Sequence, residues 1–192
     1  MHFGSECNQP RRSGEPAAGD TLSNQEMTAK FCQQCGHAME PRDIDGRIVP
    51  VCPACGFTAW SNPVVATMVV IETPGGLILG RRSIEPGYGL WCLPGGFVNE
   101  EEPPVEAAER ECLEEIQAKV TIGSLLDVYH VIRGDGRGMV AIAYVGSLAE
   151  GEAPSAGSEM LEVGLFAPDN LPELAFPSHR RAIADWIRAR NG

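Results

Sequence analysis

Basic residues are few for a chain of this size. The 192 residues hold 15 Lys and Arg against 26 Asp and Glu, a formal net charge of −11. That balance argues against an electrostatic grip on nucleic acid or on an anionic membrane. Long apolar runs are missing too: nothing approaches the ~18 residues a membrane span needs. The first residues lack the apolar h-region of a secretory leader. Glu6, Glu15, Asp20 and Glu26 are unusual in an organelle transit peptide. No internal repeat appears beyond two cysteine turns. The length suffices for one substantial core plus a small accessory module. The cytoplasm is the expected location.

Seven cysteines are present, and four have a pattern. Cys32-Gln-Gln-Cys35 is followed after sixteen residues by Cys52-Pro-Ala-Cys55, and Gly36 and Gly56 follow the two pairs. Two CxxC-Gly turns bring four thiolates to one centre, which suits tetrahedral Zn²⁺. A closed set of four protein ligands leaves no position open for substrate, so the expected role is structural. Disulfides are the competing reading, but no secretory leader supports them. A redox CxxC would not need a second pair. His37 adjoins the first turn without being needed as a ligand. Cys7, Cys92 and Cys112 remain as free thiols, in keeping with a reducing compartment.

Residues 1–29 are rich in Ser, Gly, Pro, Gln, Asn and charge and read as a disordered tail. Met27 lies just before the ribbon, so the natural start is open between Met1 and Met27. Residues 30–62 read as the zinc ribbon, with an Asp45-Gly46 turn between two short strands. Residues 63–192 form the larger domain. Val64 to Glu72 is a near-continuous apolar run, as expected for a central strand buried on both faces. Leu77 to Arg82, Val120 to Val131, Met139 to Leu148 and Glu162 to Phe166 also read as strands. A helix over Ser178 to Arg190 has Ile183, Trp186 and Ile187 as its apolar side. Periodicity alone gives an α/β class.

One stretch concentrates charge. Gly95 to Ala118 reads GGFVNEEEPPVEAAERECLEEIQA, following Leu93-Pro94. Pro103 and Pro104 suit a first helical turn. Val105, Ala108, Cys112 and Ile116 repeat as a buried stripe. Glu111 and Glu115, four apart, stand on one helix face with Glu114 beside them, bordering that stripe. Three carboxylates so close repel one another unless a positive charge sits between them, and a hard cation such as Mg²⁺ or Mn²⁺ suits them. A solvated acidic face is the bland alternative. It leaves unexplained the Gly pair, the Arg within the acidic run and the placing of Glu102.

This stretch resembles a Nudix box, G-x5-E-x7-R-E-U-x-E-E-x-G-U with U aliphatic. Gly96, Glu102, Arg110-Glu111 and Glu114-Glu115 fill the defining positions. Cys112 stands at the first U, Gln117 replaces the last Gly and Ala118 is a small final U. Without that Gly, which adopts a left-handed helix end readily, the exit from the helix is expected to differ slightly. The resemblance implies an α/β/α sandwich with a mixed sheet, here preceded by the four-cysteine ribbon. It implies hydrolysis of the pyrophosphate of a nucleoside diphosphate linked to another group.

By position in the box, Glu111 and Glu115 resemble the main metal ligands, with Glu114 as a third or as a holder of metal-bound water. The carbonyl of Gly95 resembles a further ligand. Glu102 and Arg110 are expected to pair and hold the loop on the helix, beside Gly96. A Glu from a later loop often acts as base or extra ligand in relatives. Glu159 and Glu162 are available here, and Glu159 is favoured for its Gly157-Ser158-Glu159 loop; each reads equally as a surface carboxylate. Arg81 and Arg82 are placed to meet phosphates, though adjacent strand residues face opposite ways and at most one does so. Tyr88, Trp91, Phe97 and Tyr129 are available to stack on an adenine or flavin ring, with Trp91 and Phe97 reading rather as core. His130 and His179 have no assigned role.

A zinc ribbon ahead of a Nudix domain narrows the resemblance. The array SQPWPFPxS of NADH pyrophosphatases is missing, since Gly123 to Gly138 contains no Pro or Trp. Residues 31–190 are similar instead to zinc-ribbon Nudix proteins related to FAD and ADP-ribose pyrophosphatases. The similarity rests on Phe31-Cys32-Gln33-Gln34-Cys35-Gly36, Asn62-Pro63, Gly89-Leu90-Trp91, Glu159-Met160-Leu161-Glu162 and Leu174-Ala175-Phe176. The expected substrates are ADP-ribose and FAD, releasing AMP. An NADH or NAD-capped RNA pyrophosphatase is the alternative enzyme, and a catalytically silent nucleotide-sensing or partner-binding module the alternative of another class. Family analogy implies a homodimer.

Overall fold

The structure, a computed structural model, describes residues 29–191. The tail expected over 1–29, apart from Ala29, and Cys7 lie outside the described residues. The chain divides into two compact units after Ser61.

In the first unit, β1 (Glu40–Ile44) and β2 (Arg47–Val51) form an antiparallel hairpin. Asp45 and Gly46 turn it with φ of 52° and 78°, the left-handed pair that matches strand twist in a two-residue loop. The two cysteine turns share one bonding pattern. Cys32 N–H donates to the His37 carbonyl and Gly36 N–H to that of Cys32, as Cys52 does to Phe57 and Gly56 to Cys52. Cys32, Met39 and Cys52, with Phe57 and Ala59 against them, make a small core.

The second unit is an α/β/α sandwich. Its strands are β3 (Val64–Thr73), β4 (Gly76–Arg82), β5 (Trp91–Cys92), β6 (Val120–Ile132), β7 (Gly138–Leu148) and β8 (Met160–Phe166), and its helices are α1 (Pro104–Ile116) and α2 (Pro177–Asn191). The six-stranded sheet runs β5-β4-β3-β7-β6, with β8 also on β4. It is mixed, because β3 and β7 pair parallel while the other pairs are antiparallel.

Strand β3 is buried on both faces, which accounts for its unbroken apolar run. Met68 and Val70 join the core layer under α2 with Ala182, Ile183 and Trp186. Val69 and Ile71 join the layer under α1 with Ala108, Cys112 and Ile116. Each such aliphatic side chain contributes roughly 1.5–3 kcal/mol when fully buried. The stripe on α1 differs from its expected outline. Val105 is 40% exposed, while Ala107 is buried and so is Glu115. Val105 belongs to the first turn, ahead of the part of the helix that meets the sheet. No helix among the described residues is long and apolar enough to cross a membrane.

Candidate functional site

The turn Leu93 to Gly96 lies where three layers meet. Pro94 and Gly96 accept from Val69 N–H and Thr67 N–H, both at 2.8 Å, so the turn extends the sheet beside β3. Between them, Gly95 N–H donates to Glu115 Oε2 of α1 at 2.9 Å. Leu93 N–H donates to His179 Nδ1 of α2 at 3.0 Å. Close approach to backbone requires glycine at Gly95. A Cβ on Gly95, whose φ is 149°, would overlap the Thr67 carbonyl oxygen and lie 2.6 Å from Met68 Cα. A Cβ on Gly96 would overlap the Glu111 carboxyl group.

The acidic residues differ sharply in surroundings. Glu115 is only 4% exposed, so it is part of the buried face of α1 and does not merely border it. Burial pushes its carboxyl up to about 8, against the stabilising Gly95 amide. Burial also raises Glu111, countered by Arg110. Glu114 is exposed and accepts from Arg110 Nη1 at 3.1 Å. Glu159 lies near enough for its charge to raise both Glu111 and Glu115.

Arg110 organises the loop. Its Nε donates to Glu102 Oε2 at 3.0 Å and its Nη2 to Glu102 Oε1 at 2.7 Å, a two-pronged pair. Nη1 reaches Glu111 at 2.9 Å and Nη2 the Phe97 carbonyl at 3.0 Å. Asn99 adds its backbone N–H and its side-chain amide to Glu102. Arg110, with the Asn99 amide, holds the Glu102 carboxyl down at about 2.

The loop before β8 closes the far end of α1. Ser155 N–H donates to Ile116 O and Gly157 N–H to Glu115 O, satisfying carbonyls that a helix end leaves open. Glu159 is delivered to the acidic face by this loop. Gln117 adopts the left-handed conformation itself, at φ 53° and ψ 29°, with its N–H on Leu113 O. The helix exit therefore keeps the geometry expected of Gly, contrary to the sequence-based expectation, and the cost falls on Gln117 backbone strain.

Several other residues fall away from these carboxylates. Glu162 pairs with Arg81 at 3.2 Å. Arg82 does not fall away: it donates to the Pro86 carbonyl and lies over the Phe176 ring, yet stands near enough for its charge to lower Glu115. Tyr129, expected among the stacking residues, is 2% exposed in the core under α2, and its hydroxyl donates to Asp185 at 2.7 Å. Trp91 packs edge-on against Phe166 within the core. Phe97, expected in the core, is instead 51% exposed with Arg133 over its ring. Cys92 and Cys112 are buried free thiols, both raised by desolvation. Sequence reasoning missed Asn99, Thr67 and His179. Asn99 shares Glu102 with Arg110, and Thr67 buries a hydroxyl with no partner among the described residues. His179 depends on a contact between distant segments, which local pattern does not reveal, whereas the signal for Asn99 was local, since it bonds Glu102 three residues on.

Two metal sites can be tested against this geometry. The sulfurs of Cys32 and Cys55 are 3.6 Å apart, those of Cys35 and Cys52 3.4 Å, and those of Cys35 and Cys55 3.5 Å. These separations are too long for disulfides. They approach the ~3.8 Å edge of a tetrahedron with Zn–S bonds of ~2.3 Å. Among the described residues this is the one set of three or more candidate ligands converging within 4.8 Å. The glutamates do not converge, because Glu111 and Glu114 turn to Arg110 and Glu115 turns to Gly95. Their donors are all hard oxygens, and a buried carboxyl at about 8 is one that a divalent cation would hold ionised. The Gly95 carbonyl has no partner among the described residues.

The NUDIX domain family model matches residues 62–187. The chain is 36% identical over 137 residues to a Methanocaldococcus jannaschii protein named ADP-ribose pyrophosphatase, spanning 71% of this chain and 80% of that protein. It is 27% identical over 159 residues to an NAD-capped RNA hydrolase of Stutzerimonas stutzeri, spanning 82% of this chain and 54% of that one. The crystal structure of a NUDIX hydrolase from Nitrosomonas europaea matches with a TM-score of 0.76 at 31% identity, covering 85% of this chain and 93% of that chain.

Proposed function

We infer the chemistry from a premise that these matches make plain: the chain belongs to the Nudix family. It is a hydrolase of the pyrophosphate bond in nucleoside diphosphate derivatives. We propose ADP-ribose or FAD as the substrate, with AMP as the released nucleotide. The observation that carries the hydrolytic chemistry is the meeting of Glu111 and Glu115 with the Gly95-Gly96 turn, and the similarity to a protein named ADP-ribose pyrophosphatase supports the substrate.

Glu111, Glu115 and the Gly95 carbonyl would hold Mg²⁺ or Mn²⁺, with Glu114 as a third carboxylate. The ion supplies a lowered pKa for water and neutralises phosphate oxygens. The remaining work belongs to the chain. Glu102 fixes Arg110, which sets the rotamer of Glu111 and anchors the loop through the Phe97 carbonyl. Glu159 is the proposed base, delivered by the loop that caps α1. Of the two arginines, Arg82 is the one proposed to meet phosphate, since Arg81 is paired with Glu162. Cys32, Cys35, Cys52 and Cys55 hold a structural Zn²⁺ in a ribbon over 30–62, ahead of a hydrolase domain over 63–192. The proposed setting is the cytoplasm and the proposed assembly a homodimer, which sedimentation equilibrium checks.

NAD-capped RNA is a second reading, favoured by the match to an NAD-capped RNA hydrolase over 82% of this chain. A panel of ADP-ribose, FAD, NADH and NAD-capped RNA, with products identified by mass spectrometry, separates them. AMP from ADP-ribose or FAD at the highest kcat/KM supports the proposal. Preference for the capped RNA replaces it with the second reading. Silence throughout, with zinc bound and fold intact, points to a binding module.

A further inference from the structure

Four consecutive residues of the Leu93-Gly96 turn are held by three different layers. Pro94 and Gly96 are bonded to β3, and Gly95 is bonded to Glu115 of α1. Leu93 is completely buried, and its N–H finds its acceptor on α2, at His179 Nδ1. We propose that His179 is a positioning residue, whose neutral imidazole fixes the Leu93 amide and thereby sets the Gly95 turn against Glu115. The proposal rests on the metal-site reading above and deepens it.

The chemistry of the bond is restrictive. A backbone N–H donates only to an unprotonated ring nitrogen, so His179 must carry its proton on Nε2. Its burial keeps the imidazole neutral, with Arg82 working in the same direction. Strand pairing does not already supply this contact. Trp91 is bonded to Glu173 and Ala175 on the same segment, by Trp91 N–H to Glu173 O at 3.1 Å and Ala175 N–H to Trp91 O at 2.8 Å. Those bonds hold the segment before α2 on β5 whether or not His179 is present. Among the described hydrogen bonds of this segment and α2, that of His179 is the one that reaches past β5 to the turn that faces the carboxylates. It acts through the backbone of residues 93–95 and does not itself touch the reacting atoms.

A pair of substitutions separates the acceptor from mere polarity. The Oδ1 of Asn stands where Nδ1 stands in His, whereas the Oε1 of Gln stands near the Nε2 position. The full chain is prepared as wild type, His179→Asn and His179→Gln, and three quantities are followed. These are amide exchange of residues 93–96, the Mn²⁺ Kd from the free-ion paramagnetic resonance signal, and kcat and KM on the panel's best substrate. In His179→Gln the turn amides exchange faster, while Mn²⁺ affinity and kcat fall by ~10-fold or more, the usual scale for groups that orient metal ligands. His179→Asn stays within about threefold of wild type on each measure, a margin well inside that range. Equal behaviour of the two variants, or wild-type exchange of the turn in His179→Gln, overturns the proposal. A wild type that binds no Mn²⁺ refutes the metal reading instead, and amide exchange then still decides the role of His179.

Discussion

Glu102 and His179 carry charge states that depend on folding, and each makes a pH prediction. Glu102 is held at about 2 against an ordinary 4.5, so its contribution is full above pH 4.5 and is lost as pH falls toward 2. His179 is held at about 3 against 6.5, because burial disfavours the imidazolium. The unfolded chain takes up that proton near 6.5, so stability is lost as pH falls from 6.5 toward 3. Glu115 works the other way: at about 8 it favours the protonated folded chain, and this share disappears between 4.5 and 8. The Tm difference between wild type and His179→Asn isolates the histidine. The expected outcome is a gap that shifts against wild type between pH 6.5 and 4.5 and is flat above 7. The pairing of Glu102 with Arg110 was expected from the box, but the burial of Glu115 and His179 was not legible in residue type. A Glu is ordinarily exposed, and the burial of Glu115 follows from its place above Ala108 and Cys112 on the face that meets the sheet.

Helix α1 is a rigid mount whose two ends are secured by other segments. At its end, Gln117 holds a left-handed conformation that costs an L-residue about 1–2 kcal/mol. Gln117→Gly removes that strain at some cost in unfolded-state entropy, so a net gain of about 0.5–1 kcal/mol is expected in denaturant unfolding. Gly157 shows the opposite case. A Cβ there would overlap the Glu114 carbonyl oxygen and lie 3.1 Å from that of Glu115. Gly157→Ala is expected to lose roughly 1–3 kcal/mol, the range for overpacking, and to lower kcat by moving the loop that carries Glu159. Activity assays and thermal melts on the same preparation check both effects. At this scale the sequence was informative where one periodicity dominates. The apolar run of β3 and the box spacing on α1 gave correct elements, because both report local geometry. Val105 was misplaced because i+3/i+4 spacing does not say where along a helix contact with the sheet begins.

The molecule as a whole joins a unit built on a four-cysteine cluster to a sandwich with two core layers of its own. A unit whose described buried apolar residues are Cys32, Met39, Val49, Val51 and Cys52 has little hydrophobic stabilisation without the proposed ion. Cys52→Ser is therefore expected to lose zinc and the ordered β1–β2 hairpin, while the sandwich keeps its cooperative melt. Zinc content by mass spectrometry and two-dimensional amide spectra check this. Order of the layers and the mixed sheet followed from the recognised box; the way Leu93-Gly96 is tied to β3, α1 and α2 did not, because those partners lie as far as 86 residues away. The central claim is that Glu115 and its neighbours bind a divalent cation for pyrophosphate hydrolysis. Its most direct test is AMP release from ADP-ribose and FAD during a Mn²⁺ titration, in wild type and in Glu115→Gln. Metal-dependent release that falls by ~100-fold or more in Glu115→Gln, at the upper end of metal-site substitutions, is the expected result. Release at wild-type rates in Glu115→Gln, or without any divalent ion, would contradict it.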